Sequence, residues 1–140
     1  MQSLATIRQA LKASLDSVLT DKVKVYPYYE NDPQQYPCIV FDISSQQGDF
    51  LTDAENIHSI TFQAILQVKF GAIFDEEYAT NKVDELTDII TAQLESDWTL
   101  GGTVDYCTPV VGQRELIEIP NGTAKAQYIN IVVKYTSVVV

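Results

Sequence analysis

The stretch that most constrains this chain runs from Ile57 to Leu94, where a strand pattern gives way to a helix pattern. Ile60, Phe62, Ala64, Leu66, Val68 and Phe70 alternate with Ser59, Thr61, Gln63, Ile65, Gln67 and Lys69. Period two with one apolar and one mostly polar face predicts a half-buried antiparallel strand. Gly71 breaks it. Asp75 can then cap a helix, and Glu76 and Glu77 place negative charge at the positive end of its dipole. Ala79, Val83, Leu86, Ile90 and Leu94 recur at helical steps and form one apolar stripe. Burying stripe against strand is the simplest use of both surfaces.

The chain on either side completes that arrangement. Leu4, Ile7, Leu11, Leu15 and Val18 predict a core-facing helix over about 3–19. Arg8 and Lys12 on its polar side are offset by Asp16, which argues against a membrane-surface helix. VKVYPYY (residues 23–29) is rich in strand formers, but Pro27 makes it short, broken or at an edge. Pro37 opens CIVFDIS, apolar on both faces at first, as in an interior strand. Residues 44–56 read as the longest irregular stretch, polar except for Phe50 and Leu51 at its centre. It is either a hairpin loop whose tip folds back on the core or a projecting loop with an apolar anchor. The second helix spans about 75–96, with Trp98 expected beneath its last turn. Gly101-Gly102 marks a turn. Residues 103–111 and 113–119 read as strands separated by Gly112, at a bulge or tight turn. Pro120-Asn121-Gly122 is a hairpin signal. In the last strand, 124–138, Ile129, Ile131, Val133 and Tyr135 share a face. The order helix, strands, helix, strands predicts an α+β fold, with a mainly antiparallel sheet and both helices packed on one face. A chain of 140 residues with 46% apolar content suits a single domain over 1–140.

Composition narrows the function classes. Nineteen acidic residues face nine basic ones, for a formal charge of −10. The basic residues are scattered, without the cluster that phosphate binding requires. No apolar run approaches the length of a membrane span, and the N-terminus lacks the pattern of a secretory signal. Cys38 and Cys107 are expected as reduced, core-facing thiols. His58, the only histidine, is expected as a surface or edge residue, with no nucleophile elbow near it. Two cysteines and one histidine far apart do not give zinc-site spacing. Asp49, Asp53 and Glu55 lack the ordered ladder of a calcium loop. Gly101-Gly102 lacks the lysine and hydroxyl of a phosphate loop. Asp84, Glu85 and Asp88 read as the solvated face of a helix. The expectation is no enzyme, no cofactor and no metal.

The succession of parts resembles the tail-terminator (tail-completion, or minor tail) proteins of long-tailed bacteriophages. The resemblance rests on a short N-terminal helix, then VYPYYENDPQQYPCIVFDI with Tyr36-Pro37 before an apolar strand. A long loop follows, then HSITFQAILQVKF, the acidic helix EEYATNKVDELTDIITAQLES and a closing strand AKAQYINIVVKYTSV. It implies a structural virion protein that forms a homohexameric ring on the tail tube. Such a ring stops tube polymerisation and offers a head–tail joining surface to a connector or neck protein. DNA passes through its lumen without specific binding, and an acidic chain is compatible with that. The implied place is the tail–neck junction of the virion, after assembly in the host cytoplasm, with no membrane involved. Ring closure calls for two different apolar patches per subunit. The candidates are Phe50 and Leu51 in the long loop and Tyr28 and Tyr29 beside Pro27. Another neck or head-completion protein stays open, as does a small cytosolic ligand-binding domain or enzyme with a pocket between sheet and helices.

Overall fold

A computed structural model describes residues 4–19, 23–30, 33–50, 55–71, 75–120 and 122–138, with the backbone alone at 44–50, 55–57, 137 and 138. The elements are α1 (Leu4–Asp16), β1 (Lys24–Val25), β2 (Cys38–Phe50), β3 (Glu55–Phe70), α2 (Glu76–Ser96), β4 (Tyr106–Ile119) and β5 (Gly122–Val138). The strands form one sheet in the order β1-β2-β3-β5-β4. All pairings are antiparallel except the short parallel contact of β1 with β2. The fold is α+β, as the order of sequence patterns predicts.

The apolar face of the 57–70 strand and the apolar stripe of the following helix bury each other. Ile60, Phe62, Ala64, Leu66 and Val68 of β3 share one core with Ala79, Val83, Leu86, Ile90 and Leu94 of α2. Ile7, Leu11 and Leu15 of α1, Ile39 and Phe41 of β2, and Ile129, Ile131, Val133 and Tyr135 of β5 complete it. Asp75 caps α2, its Oδ1 accepting from the Tyr78 N–H at 2.9 Å. The 3.6-residue period of α2 and the two-residue period of β3 and β5 thus meet across one interface.

Several features differ from what the sequence patterns predict. Within the stretch read as irregular, residues 44–50 and 55–56 are strand. β2 stays paired through Phe50, opposite Asn56, so only residues 51–54 lie between the two strands. The polar face of β3 is buried at its middle. Ile65 packs there with Val40 and Ala126 in a second, smaller cluster, flanked by Tyr26, Ile117 and Tyr128, and Gln67 is also buried. Trp98 does not tuck under the last turn of α2; it is 54% exposed. Leu100, at φ 50°, goes inward in its place, and Gly101 and Gly102, at φ 68° and 87°, carry the chain out of the turn. His58 is not at an edge. It is half-buried on central strand β3, stacked on Tyr135 with ring centroids 4.8 Å apart. Finally, Ile119 pairs with Gly122, so Gly122, the last residue of the hairpin signal, already belongs to β5.

Gly112 marks a bulge. Between Val111 and Arg114 the register against β5 slips, and residues 106–119 form one bent strand rather than two. A side chain at Gly112 would stand 3.1 Å from the Tyr128 carbonyl oxygen. The buried Gln127 organises the bend. Its Nε2 donates to the carbonyls of Gly112, Gln113 and Tyr128, each at 3.0 Å, and its Oε1 accepts from Arg114 Nε at 2.8 Å.

Candidate functional site

The sheet outruns its helices. At about 3.3 Å per residue, the 16 residues of β3 span roughly 53 Å. At 1.5 Å per residue, the 21 residues of α2 span about 31 Å. The Cys107 thiol, which points at the Leu94 carbonyl, places the end of α2 over the row Cys107–Val133–Ile60. Beyond that row β2, β3 and β5 continue together, to Phe50, from Glu55 and to Val138. The result is a three-stranded extension. Phe50 is the last residue of β2; its side chain and all of Leu51 lie outside the described residues.

Tyr28 and Tyr29 form a second, separate patch. Past β1 the chain stays beside β2: the Tyr26 N–H donates to Ile39 O at 2.8 Å and the Phe41 N–H to Tyr28 O at 3.4 Å. Tyr28 is 49% and Tyr29 51% exposed. Tyr28 sits edge-on to Tyr26, at 6.3 Å between centroids. The Tyr128 hydroxyl donates to Glu115 Oε1 at 2.6 Å. That hydrogen bond, with desolvation and the charges of Glu115 and Tyr29, pushes the Tyr128 pKa up to about 12. The structure therefore brings Tyr28 and Tyr29 together near the face of the sheet opposite the helices. It separates them from Phe50 by the nine residues of β2 beyond Phe41, roughly 30 Å.

A third surface was not legible in the sequence. Strand β4 lies at the edge of the sheet, and Val110, Val111 and Leu116 on it are about half exposed. Apolar residues in a strand pattern signal burial, and nothing local tells a central strand from an edge one.

Electrostatics limit what these surfaces hold. Lys12, Lys82, Arg114 and Lys125 pair with Asp16, Glu85, Asp84 and Glu76. Arg8, Lys24 and Lys134 stand over the rings of Phe62, Tyr26 and Tyr106 at 5.7–5.9 Å. These cations are engaged within the chain, while Glu77, Asp88 and Glu95 line the exposed side of α2. The two thiols are buried, and desolvation raises Cys38 to about 12. Desolvation, helped by the charge of Asp97, raises Cys107 to about 11. Neither supplies a thiolate nucleophile near neutral pH. Among the described residues, no group of three or more His, Cys, Asp or Glu side chains could hold a metal ion. Among the same residues, no helix is long and apolar enough to cross a membrane.

A shallow groove of about 400 Å³ lies between α1 and the turn after α2, lined by Ala10, Ala13, Ser14, Ser17, Leu100 and Thr103. Asp97, also at its wall, spends Oδ1 accepting from the Gly101 N–H at 2.9 Å. No protein-family model and no curated protein sequence matches the chain.

Proposed function

We propose that this protein is a structural component of a virion, a tail terminator that caps the tail tube as a homohexameric ring. In this reading the ring stops tube polymerisation and presents a joining surface to the head connector. The observation that carries the reading is the distance along one sheet between the exposed Tyr28–Tyr29 patch and the strand end at Phe50, the backbone position from which the second candidate patch would project. Tyr28 and Tyr29 lie beside Phe41, and Phe50 lies at the end of an extension roughly 30 Å away. A ring closes through heterologous contacts, in which one patch of each subunit meets a different patch of the next. The order of elements, with an acidic helix packed across a long antiparallel sheet, also supports it. So does the charge pattern. A chain with a formal charge of −10, in which seven of the nine Lys and Arg side chains are engaged with carboxylates or rings of the same chain, repels phosphate instead of gripping it.

The test is light scattering after gel filtration, with negative-stain images of each peak, in the presence and absence of tail tubes. Six-fold rings with a central hole are the expected result. Replacing Phe50 with Ser and Leu51 with Asp should leave thermal stability nearly unchanged and abolish the rings. A large loss of stability would show that these residues belong to the core, and the reading would fail. Electron microscopy of the position occupied on assembled particles separates a terminator from a neck or head-completion factor of the same build.

A further inference from the structure

Edge strand β4 is guarded over only half its length. The Cys107 N–H points away from β5, to the Trp98 carbonyl at 2.7 Å. Cys107 lies opposite Val133, so residues opposite odd-numbered positions of β5 turn their main-chain groups outward. Before the bulge these are Cys107, Pro109 and Val111; after it they are Arg114, Leu116 and Glu118. The first group is protected. Cys107 is already bonded, Pro109 has no N–H, and the bulge bends the strand next to Val111. In the second group Arg114 borders the same bulge, but Leu116 and Glu118 lie beyond it with no proline among them, and all three residues are exposed, Leu116 at 55%.

We propose that β4 pairs with β4 of a second copy of this chain, antiparallel and centred on Leu116, to give a two-fold dimer with one continuous sheet. The strand is self-complementary in that register. Arg114, Leu116 and Glu118 lie on the same face at alternate positions, a cation, an apolar residue and an anion. Turning the strand about Leu116 sets Leu116 against Leu116 of the second copy, Arg114 against Glu118, and Glu118 against Arg114. Each of these pairs has its main-chain donors and acceptors directed across the junction, and each matches in side-chain chemistry. Arg114 has donors to spare. Its Nη1 holds Asp84 at 2.8 Å and its Nε holds Gln127 at 2.8 Å, which leaves Nη2 for a further carboxylate. Two chains of charge −10 repel over most of their surfaces, so contact is confined to a stretch where charges of both signs alternate in register. The contact is isologous and closes at two copies. It uses neither the tyrosine patch nor the hairpin extension, and it stands independently of the ring reading. A single strand pair is a small interface, which places the dimer among weak ones.

Sedimentation of the full chain from micromolar to millimolar concentration tests the proposal. The expected result is a monomer that gives way to a species of twice its mass. Glu118→Arg sets arginine against arginine and should weaken association about ten-fold or more. Arg114→Glu alone should also stay monomeric. An equimolar mixture of the two variants should dimerise, because arginine then faces glutamate at both ends. Melting curves identify any variant that fails to fold. Amide exchange on the unmodified chain needs no variant: the amides of Arg114, Leu116 and Glu118 should slow about ten-fold as concentration rises into the dimer range. The proposal is overturned by a chain that stays monomeric at millimolar concentration, by Glu118→Arg association as tight as the parent, or by unchanged exchange at these amides. Six-fold rings without any two-fold contact would overturn it and leave the terminator reading standing. A two-fold dimer that never forms rings, even with tail tubes, would do the reverse.

Discussion

Arg114 and Asp84 lie 2.8 Å apart, tying the outermost strand of the sheet to the helix that crosses it. The pair itself is partly exposed, with 31% and 57% of the two side chains accessible, so its direct contribution is small. The larger consequence runs through Gln127, buried at the bulge, whose Oε1 depends on Arg114 Nε. Arg114→Ala should therefore cost about 1–2 kcal/mol by leaving a buried acceptor without its donor. Asp84→Ala should cost less than about 0.5 kcal/mol, an effect that shrinks in high salt. Urea unfolding of both variants at low and high ionic strength checks the difference; equal losses would show that the ion pair matters more than the bulge.

Asp75 offers a cleaner test of local structure. Its side chain satisfies the Tyr78 N–H, which α2 leaves without a partner of its own. Asp75→Ala should lower stability by about 1 kcal/mol, and Asp75→Asn, which keeps the acceptor, should lower it far less. Thermal melts of the two variants measure this directly.

The buried thiols give the stability a pH dependence with a definite sign. Folding raises Cys38 from 9.0 to about 12 and Cys107 from 9.0 to about 11, by desolvation. Above pH 9 the unfolded chain therefore binds fewer protons than the folded one, and stability falls as pH rises. Tyr128 and Tyr135 shift in the same direction, through the hydrogen bond to Glu115 and through burial respectively. Urea midpoints should be level below pH 8 and decline steadily from pH 9 upward. Disulfide-exchange reagents at pH 8 should leave both cysteines unmodified until the chain is unfolded.

Trp98 and Phe62 should behave oppositely. Phe62 is fully buried, and Phe62→Ala should cost about 3–5 kcal/mol. Trp98→Ala should change stability by no more than about 0.5 kcal/mol, since half of its surface is already in water. Trp98 is the only tryptophan, so the emission maximum of the folded chain should lie close to that of the unfolded chain. A strongly blue-shifted native spectrum would place the ring inside.

Much of the fold was legible because its signals are periodic. Ile60 to Val68 and Ala79 to Leu94 each present one apolar face whatever surrounds them, and Asp75 caps its helix through a purely local bond. The hairpin extension was not legible, because Ser, Gln and Gly carry little strand preference and residues 45–50 take their conformation from pairing with 56–61. Trp98 misled for a related reason. A large aromatic after an amphipathic helix reads as a core residue, yet Leu100 in a left-handed conformation reaches the core first. The tyrosine patch could be named from Pro27, which ends the strand. The edge position of β4 depends on sheet order, a property no local pattern encodes.

The length of β3 also has a mechanical meaning. From Glu55 to Phe70 it is paired with β5, and along most of that length with β2 as well. A pull on the hairpin end, directed along the strands, would load these ladders in shear, with many hydrogen bonds resisting together instead of opening one by one. The extension is thus continuous through β3 and β5 with the core at Phe62 and Ile131, and force applied at Glu55 passes along the same ladders that carry the core-facing side chains.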